Sequence, residues 1–315
     1  MAETIEARAF TVTSRRKLTE DINEFTLRPV DGAALQSFTP GAHVTLRTPS
    51  GAMRRYSLVN DGSAPDCYVI AVKREPESRG GSASMHDQAD EGTELAVTAP
   101  ENDFELVEAP RYLLIAGGIG ITPIQAMARH LTAAGTPFEL IYCTRSAEET
   151  AYLDDIAALP GKITIHHDEG DEDNFFDFWD HFEKPTNAHV YCCGPAPLME
   201  EIKALSGHWP EGRVHFEDFK PVEVVRADDR PFAVTLESSG QRVEVPADRT
   251  ILEALRDAGV KTVSSCESGT CGTCKTRLVS GDVDHRDMVL MEEEKDSHIM
   301  ICISRARSGD LVLDL

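Results

Sequence analysis

Four cysteines near the end of the chain have the spacing of a metal-cluster site. Cys266, Cys271 and Cys274 are separated by four and two residues, and Cys302 follows after 27 further residues. Four thiolates at this spacing hold the two irons of plant-type [2Fe–2S] clusters. Two glycines and small hydroxyl residues between the first three cysteines let a tight loop curl and turn its N–H groups towards the cluster sulfurs.

A zinc site is the alternative for these cysteines. Zinc modules usually pair one CxxC with a second CxxC or with two histidines, and the four-then-two spacing fits that pattern poorly. The sequence therefore predicts a [2Fe–2S] cluster ligated by Cys266, Cys271, Cys274 and Cys302. Cys302 is expected on a separate strand, IMICISRA (299–306).

A second group of residues has the chemistry to hold a flavin phosphate. In RRYSL (54–58) an Arg can bind a phosphate, a Tyr can lie against an isoalloxazine ring, and a Ser hydroxyl can reach flavin N5. RGGSAS (79–84) precedes a helix that we expect to begin at Met85, and Gly-rich backbone at a helix N-terminus favours a phosphate. A plain flexible loop is the alternative for that segment.

Two glycine turns are predicted to bind a dinucleotide. GGIGITP (117–123) follows an apolar strand and opens a helix that should end at Gly135, although it lacks the G-x-G-x-x-G spacing. CGP (193–195) also ends a strand and opens a helix. At the carboxyl edge of a parallel sheet, such turns line the ligand crevice.

The elements that position these residues suggest a multidomain protein of three parts. Residues 1–106 alternate apolar and polar residues in six short strands, which predicts an antiparallel β-barrel. Residues 107–225 alternate strands and helices and predict an α/β domain with a parallel sheet. After a polar linker, residues 226–315 predict an α+β domain with a hairpin near Ser239 and a helix ending at Gly259.

Charge and composition exclude several classes of protein. The net charge of −23 argues against nucleic acid and against anionic membrane surfaces as partners. No run of about 18 apolar residues and no signal-peptide pattern is present, so we expect a cytoplasmic protein. In that setting eight cysteines indicate metal or redox work rather than disulfides.

In this order, RRYSL with RGGSAS, AGGIGITP with CCGPAPLM, and the cysteine loop resemble the phthalate dioxygenase reductase family. Reductases of vanillate demethylase and carnitine monooxygenase look similar. The resemblance covers essentially the whole chain. It implies an FMN-binding barrel (1–106), an NADH-binding domain like that of ferredoxin–NADP reductase (107–225), and a β-grasp-like plant-type ferredoxin (226–315).

The resemblance also implies roles for individual residues. The flavin would be held by Arg54, Tyr56, Ser57, Leu58, Val72, Lys73, Arg79, Gly80, Gly81, Ser82 and Ser84, with Phe219 shielding its ring. The NADH pyrophosphate and ribose would lie at Gly117, Gly118, Gly120, Thr122, Thr144, Arg145 and Ser146, and the nicotinamide at Cys193 and Gly194. Ser57 and Cys193 are the expected catalytic positions. Arg145 leaves NADPH open, because an Arg can also meet a 2′-phosphate.

Redox stoichiometry orders the carriers. NADH gives up two electrons as a hydride, a [2Fe–2S] cluster takes one, and a flavin can do both. The expected acceptor is a Rieske-type oxygenase of aromatic catabolism, and the alternative is an O-demethylase or an amine monooxygenase. Because one chain carries all three carriers, we expect the reductase to be a monomer. A non-catalytic ferredoxin carrier, or a flavin reductase with structural zinc, would share the same domains.

Cys271→Ser tests this order of carriers. Without a competent cluster, the variant should lose reduction of an external protein acceptor while it keeps NADH-dependent dye reduction, because dyes take electrons from the flavin. Both rates are measured on the same preparation. Equal loss of the two activities would contradict the order.

Overall fold

The computed structural model describes residues 7–76, 80–219, 229–264, 269, 272–287 and 289–315. The chain forms two compact units that divide after Phe219. Three sheets follow one another along the sequence, two in the first unit and one in the second. The domain boundaries 106 and 225 remain predictions.

The first sheet is antiparallel and closes into the expected barrel. Its strand order is β4-β3-β6-β1-β2-β5, and a bridge between Leu58 and Ile70 joins the two ends. Alternate residues such as Phe25 and Leu27 are buried in its core. The elements are β1 (Arg8–Lys17), β2 (Ile22–Pro29), β3 (His43–Arg47), β4 (Met53–Ser57), β5 (Tyr68–Lys73), α1 (Gly81–Gln88) and β6 (Glu94–Val97).

Helix α1 begins four residues before the predicted start at Met85. Gly80 is its N-cap with φ 96°, a backbone conformation open to glycine, and the helix starts at Gly81. The expectation failed because Gly-Ser-Ala-Ser is a weak helix signal on its own. Packing of Met85, which is fully buried in the barrel core, fixes the whole segment as a helix.

The second sheet is wholly parallel, with the order β11-β10-β7-β8-β9. Helix α2 ends at Gly135 (φ 65°), as predicted. Strand β11 and the short helices α3 and α4 were not predicted. The elements are β7 (Tyr112–Gly117), α2 (Ile121–Ala134), β8 (Phe138–Thr144), α3 (Leu153–Ala157), β9 (Lys162–His167), α4 (Trp179–Phe182), β10 (His189–Cys193), α5 (Ala196–Leu205) and β11 (Val214–Glu217).

The third sheet is mixed, with the order β13-β12-β16-β14-β15 and a parallel pair β12–β16. The predicted hairpin turns at Gly240 (φ 71°), and the predicted helix is followed by Gly259 (φ 76°). The elements are β12 (Phe232–Leu236), β13 (Arg242–Val245), α6 (Ile251–Asp257), β14 (Lys275–Asp284), α7 (Glu292–Lys295), β15 (His298–Met300) and β16 (Arg305–Asp314).

Cys302 does not lie on a strand, contrary to the expectation for IMICISRA. Strand β15 ends at Met300, whose carbonyl accepts hydrogen bonds from the backbone N–H of Ile303 (3.1 Å) and Ser304 (2.9 Å). This turn separates β15 from β16. The segment is rich in apolar residues because the turn is buried, not because it is extended.

Among the described residues, no helix combines the length and the apolar character that crossing a membrane requires.

Candidate functional site

The two predicted glycine turns meet at the carboxyl edge of the parallel sheet. A Cβ on Gly120 would lie 2.1 Å from the Cys193 carbonyl oxygen, and one on Gly117 would lie 2.5 Å from Cδ of Pro195. Only glycine allows this approach of two backbones. Strand β7 has β8 on one side and β10 on the other, so the turns lie at the point where the strand order reverses, which is where α/β sheets bind ligands.

The first glycine turn leads directly into helix α2. The Thr122 hydroxyl donates to the Ile119 carbonyl (3.1 Å), and the Gly118 carbonyl accepts from the Tyr142 hydroxyl (3.1 Å). The turn is therefore held from within, at the N-terminus of a 14-residue helix. The unsatisfied N–H groups and the dipole of such a terminus favour a pyrophosphate.

Thr144, Arg145 and Ser146 follow β8 at the same edge. Thr144 is buried, and its hydroxyl contacts the hydroxyl of Thr150 (2.7 Å) and the Nδ1 atom of His167 (2.8 Å). It therefore shapes the loop, whereas Arg145 is exposed and available to a nucleotide. The structure brings this loop, the glycine turn and Cys193 to one edge of one sheet.

On the barrel side, Ser57 has the environment of a ligand contact. The residue is 4% exposed, and its hydroxyl has no hydrogen-bond partner among the residues that the structure describes. A buried hydroxyl without a partner is costly, and a polar flavin atom would satisfy it. Leu58 and Val72 are also buried, Lys73 is half-buried, and Phe219 is 40% exposed.

Arg54 lies against the N-terminus of α1, where the sequence predicts a phosphate cradle. A Cβ on Gly81 would lie 2.8 Å from Nε of Arg54, so the absence of a side chain lets the guanidinium reach the helix N-terminus. The Ser82 hydroxyl accepts from the Glu75 N–H (3.1 Å) and retains its own proton for donation. These groups suit a terminal phosphate.

Ser84 is placed differently from its neighbours in the cradle. Its hydroxyl donates to the Gly81 carbonyl (2.9 Å) and accepts from the Ser50 N–H (3.2 Å), so it joins α1 to the β3–β4 turn. Because both bonds are made within the protein, Ser84 fits a role in holding α1 in place better than direct contact with a phosphate. Arg79 lies outside the described residues.

The cysteine loop is described in part. Cys274 and Cys302 are 3% and 1% exposed, while Cys266 and Cys271 lie outside the described residues. Gly269 and Gly272 have φ values of 76° and 78°, and a Cβ on Gly269 would lie 2.9 Å from Cγ2 of Ile303. The loop thus needs glycine for both conformation and space, as a loop curling around a cluster does.

Asp287 packs against the cysteine loop at Gly269. This residue was not singled out by the sequence analysis. Its side chain is fully buried, and its carboxylate accepts from the N–H of Leu290 (2.8 Å) and from the Ser304 hydroxyl (3.3 Å). A Cβ on Gly269 would lie 3.3 Å from Cα of Asp287. The residue therefore connects the cysteine loop to the turn that carries Cys302.

Two family models match the chain. The 2Fe-2S iron-sulfur cluster binding domain matches residues 234–307, and the oxidoreductase NAD-binding domain matches residues 114–204. The first range contains all four cysteines predicted to hold the cluster. The second contains both glycine turns at the edge of the parallel sheet.

Two oxygenase reductases and one solved reductase structure are similar to this chain over nearly its full length. A phthalate 4,5-dioxygenase oxygenase reductase subunit of Pseudomonas putida is 51% identical over 96% of this chain and 95% of its own. Phthalate dioxygenase reductase of Burkholderia cepacia is 50% identical over 96% of each. A solved phthalate dioxygenase reductase structure superposes with a TM-score of 0.87 at 48% identity and 98% coverage of both chains.

The chain belongs to the phthalate dioxygenase reductase family. It is an NADH-dependent oxidoreductase with FMN and a [2Fe–2S] cluster. The orphaned Ser57 hydroxyl, the Gly81 cradle and the buried thiols fit those groups.

Glu217 is a second residue that the sequence analysis missed in this reductase. It lies opposite Cys193 in the β10–β11 register, and its Oε2 atom is buried without a partner among the described residues. Burial raises the pKa of its carboxyl to about 8, and the nearby Arg55 opposes that rise. The signal in the sequence was an acid inside the short apolar run VHFE.

Burial also raises the pKa of the Cys193 thiol well above its ordinary value, with the Glu217 carboxyl adding to the effect. Cys193 is therefore a neutral thiol at physiological pH. It can contact a nicotinamide as a small polarizable group and does not act as a thiolate nucleophile.

Glu217→Gln tests the carboxyl in flavin-free protein, where only protein groups surround it. Because the folded pKa is raised above the ordinary 4.5, ionisation costs stability that grows as pH rises from about 4.5 to about 8 and is constant above. The variant should therefore melt with wild type at pH 4 and at a higher temperature than wild type at pH 9. Each pH unit between the ordinary and the raised pKa contributes about 1.4 kcal/mol to that difference in the free energy of unfolding. A difference in melting temperature between variant and wild type that stays constant from pH 4 to pH 9 would contradict the raised pKa.

Proposed function

We propose that this chain is the reductase component of a two-component Rieske-type oxygenase. The observation that carries the proposal is the contact between the Gly117–Gly120 turn and the Cys193–Gly194 turn, in a chain that continues into a cysteine loop. One polypeptide thereby offers sites for a hydride donor, a flavin and a one-electron carrier.

Each site residue has a chemical part in this proposal. The Ser57 hydroxyl, buried and without a partner among the described residues, donates to the flavin ring. Cys193 and Gly194 present a small, neutral surface that would hold the nicotinamide next to the flavin. Bound flavin accepts a hydride and returns its electrons singly. The protein contributes orientation and exclusion of water rather than acid–base chemistry.

The preference for NADH has electrostatic support at the ribose site. Asp168 and Glu169 follow β9, and their N–H groups donate to the carbonyls of Thr144 (3.0 Å) and Arg145 (2.8 Å). Two acids therefore lie beside the loop proposed to hold the adenosine ribose. Acids at this position suit a 2′-hydroxyl and repel a 2′-phosphate.

An anaerobic titration of the purified holoprotein with NADH tests the electron-transfer line. Bleaching of both the flavin and the iron–sulfur absorbance is the expected result, and NADPH at the same concentrations should act far more slowly. An unchanged spectrum with NADH would refute the nucleotide assignment. Bleaching of the flavin bands alone would refute transfer to the cluster.

The proposed partner is the oxygenase component, because the relatives are reductases of oxygenase systems and a surface suited to docking lies next to the cysteine loop. Val289 contacts the position of a Cβ on Gly272 (3.3 Å), which places the following residues beside the loop. Met291 is 71% exposed, and the exposed acids Glu292 and Glu293 follow it. An apolar residue bordered by acids fits a partner with a basic rim around its own metal centre.

Glu293→Lys tests this docking surface against Glu237→Lys, the same charge change at an exposed site of the same domain. With a purified phthalate dioxygenase oxygenase component as acceptor, the first variant should raise the half-saturating oxygenase concentration several-fold at low salt, because a favourable charge pair becomes repulsive. The control variant should match wild type. Equal effects of both variants would contradict docking at this surface.

Two further proposals concern the oligomeric state and the cellular compartment of the reductase. We place the reductase in the cytoplasm, where NADH is available and thiols stay reduced. A monomer suffices, because each carrier site is built from this one chain, and sedimentation of the holoprotein measures this.

A further inference from the structure

Tyr152 has a strained backbone in the first compact unit. Its φ and ψ are 59° and 27°, in the left-handed region, and it shares a positive φ with just one other non-glycine residue of the described part, Glu169. An aromatic residue rarely adopts this conformation, because Cβ crowds the following carbonyl. Tyr152 is also 6% exposed, so its surroundings must hold it there.

A carboxylate of the flavin-binding barrel holds the Tyr152 side chain. Its hydroxyl donates to Oε2 of Glu24 on β2 (2.8 Å). Arg16 on β1 pairs with Glu24 (3.0 Å), and its guanidinium lies 5.7 Å from the centre of the Tyr152 ring. Burial and the Glu24 carboxylate raise the pKa of Tyr152, so the hydroxyl keeps its proton and remains a donor.

The residues before Tyr152 form the loop expected to hold the adenosine ribose. The Thr150 hydroxyl donates to the Ser146 carbonyl (2.7 Å), so the hydrogen bond between Thr150 and Thr144 (2.7 Å) takes its proton from Thr144. The loop from Thr144 to Thr150 is therefore closed on itself. It continues directly into Ala151 and Tyr152, so the placement of Tyr152 sets the placement of the loop.

The same loop is linked to the glycine turn. Ala151 is fully buried, and its backbone faces the Tyr142 hydroxyl, which donates to the Gly118 carbonyl (3.1 Å). The position of Tyr152 therefore bears on both segments proposed to contact the nucleotide.

We propose that Tyr152 is a positioning residue for NADH, which through its hydrogen bond to Glu24 fixes the adenosine-binding loop relative to the flavin-binding barrel. The inference rests on the proposed nucleotide site. NADH must span from the loop after β8 to the flavin, so a loop that is already held against the barrel loses less freedom when the dinucleotide binds, and NADH binds more tightly.

Tyr152→Phe in the holoprotein tests the inference, because it keeps the ring and removes the hydroxyl. In anaerobic stopped-flow reduction, the NADH concentration that half-saturates flavin reduction should rise several-fold, up to roughly ten-fold, because NADH must then order the loop as it binds. The limiting reduction rate should change less than about two-fold, since the groups around the flavin are untouched. FMN content and the dithionite-reduced spectrum should equal those of wild type.

Tyr112→Phe is the matched control. Tyr112 is a buried tyrosine of the same sheet, at the opposite end of β7, and its hydroxyl bonds the backbone of Val107 and Ala109 (both 2.8 Å). A merely structural role for Tyr152 predicts the same kinetics in both variants. Glu24→Ala is the second test of the contact, because alanine offers the Tyr152 hydroxyl no acceptor, and Tyr152→Phe should add little to it in the double variant.

The outcomes separate this inference from the proposed function. Arg145→Ala should also raise the half-saturating NADH concentration if the nucleotide lies at that loop. A rise with Arg145→Ala but none with Tyr152→Phe and Glu24→Ala would overturn the positioning role and keep the site. No rise with any of the three would overturn both. A fall in limiting rate at unchanged half-saturation would overturn the positioning role as well.

Discussion

The carboxyl edge of the parallel sheet, where the nucleotide is proposed to bind, depends on the close approach of Gly120 to the carbonyl of Cys193. Any side chain at position 120 would collide with that oxygen, since a Cβ would lie 2.1 Å from it. Because both strands are parallel, the turns that follow them open at the same edge, and the missing side chains let them touch there. This contact sets the N-terminus of α2 beside the end of β10. The loop after β8, which is proposed to hold the ribose, and Glu217 at the end of β11 lie at the same edge because of the register of the sheet.

A strongly acidic chain is proposed to bind two phosphate-containing molecules, and local fields resolve the apparent conflict. The net charge of −23 acts weakly over distances beyond the screening length of the solvent. Arg54, the Gly81 terminus of α1 and the terminus of α2 act at contact distance, where hydrogen bonds and helix dipoles dominate. Ser57 Oγ and Glu217 Oε2 are buried and have no hydrogen-bond partner in the described part of the chain. Ser57 is a predicted flavin contact, and Glu217 lies opposite Cys193 in the sheet. A polar ligand is the physical means of satisfying such atoms.

In the iron–sulfur domain, the described residues of the cysteine loop depend on glycine and on buried neighbours. Glycines with positive φ at 269 and 272 let the loop turn, and Ile303 and Asp287 fill the space beneath it. Asp287 is an acid with a fully buried side chain, which is tolerable because backbone N–H groups and the Ser304 hydroxyl solvate its carboxylate. Asp287 is thereby hydrogen-bonded to the turn that carries Cys302 and packed against Gly269 of the cysteine loop.

The sequence by itself determined the features that short-range patterns encode. Cysteine spacing predicted the cluster, period-two alternation predicted the six barrel strands, and glycines 135 and 240 marked a helix end and a hairpin turn, because each signal lies within a few residues of what it specifies. Tertiary structure decided the rest. The early start of α1, the turn at Cys302, the pairing of Glu217 with Cys193 and the bond from Tyr152 to Glu24, 128 residues away, follow from burial and strand register. Such contacts join segments whose local patterns carry no information about each other, so only the closed sheets bring them together.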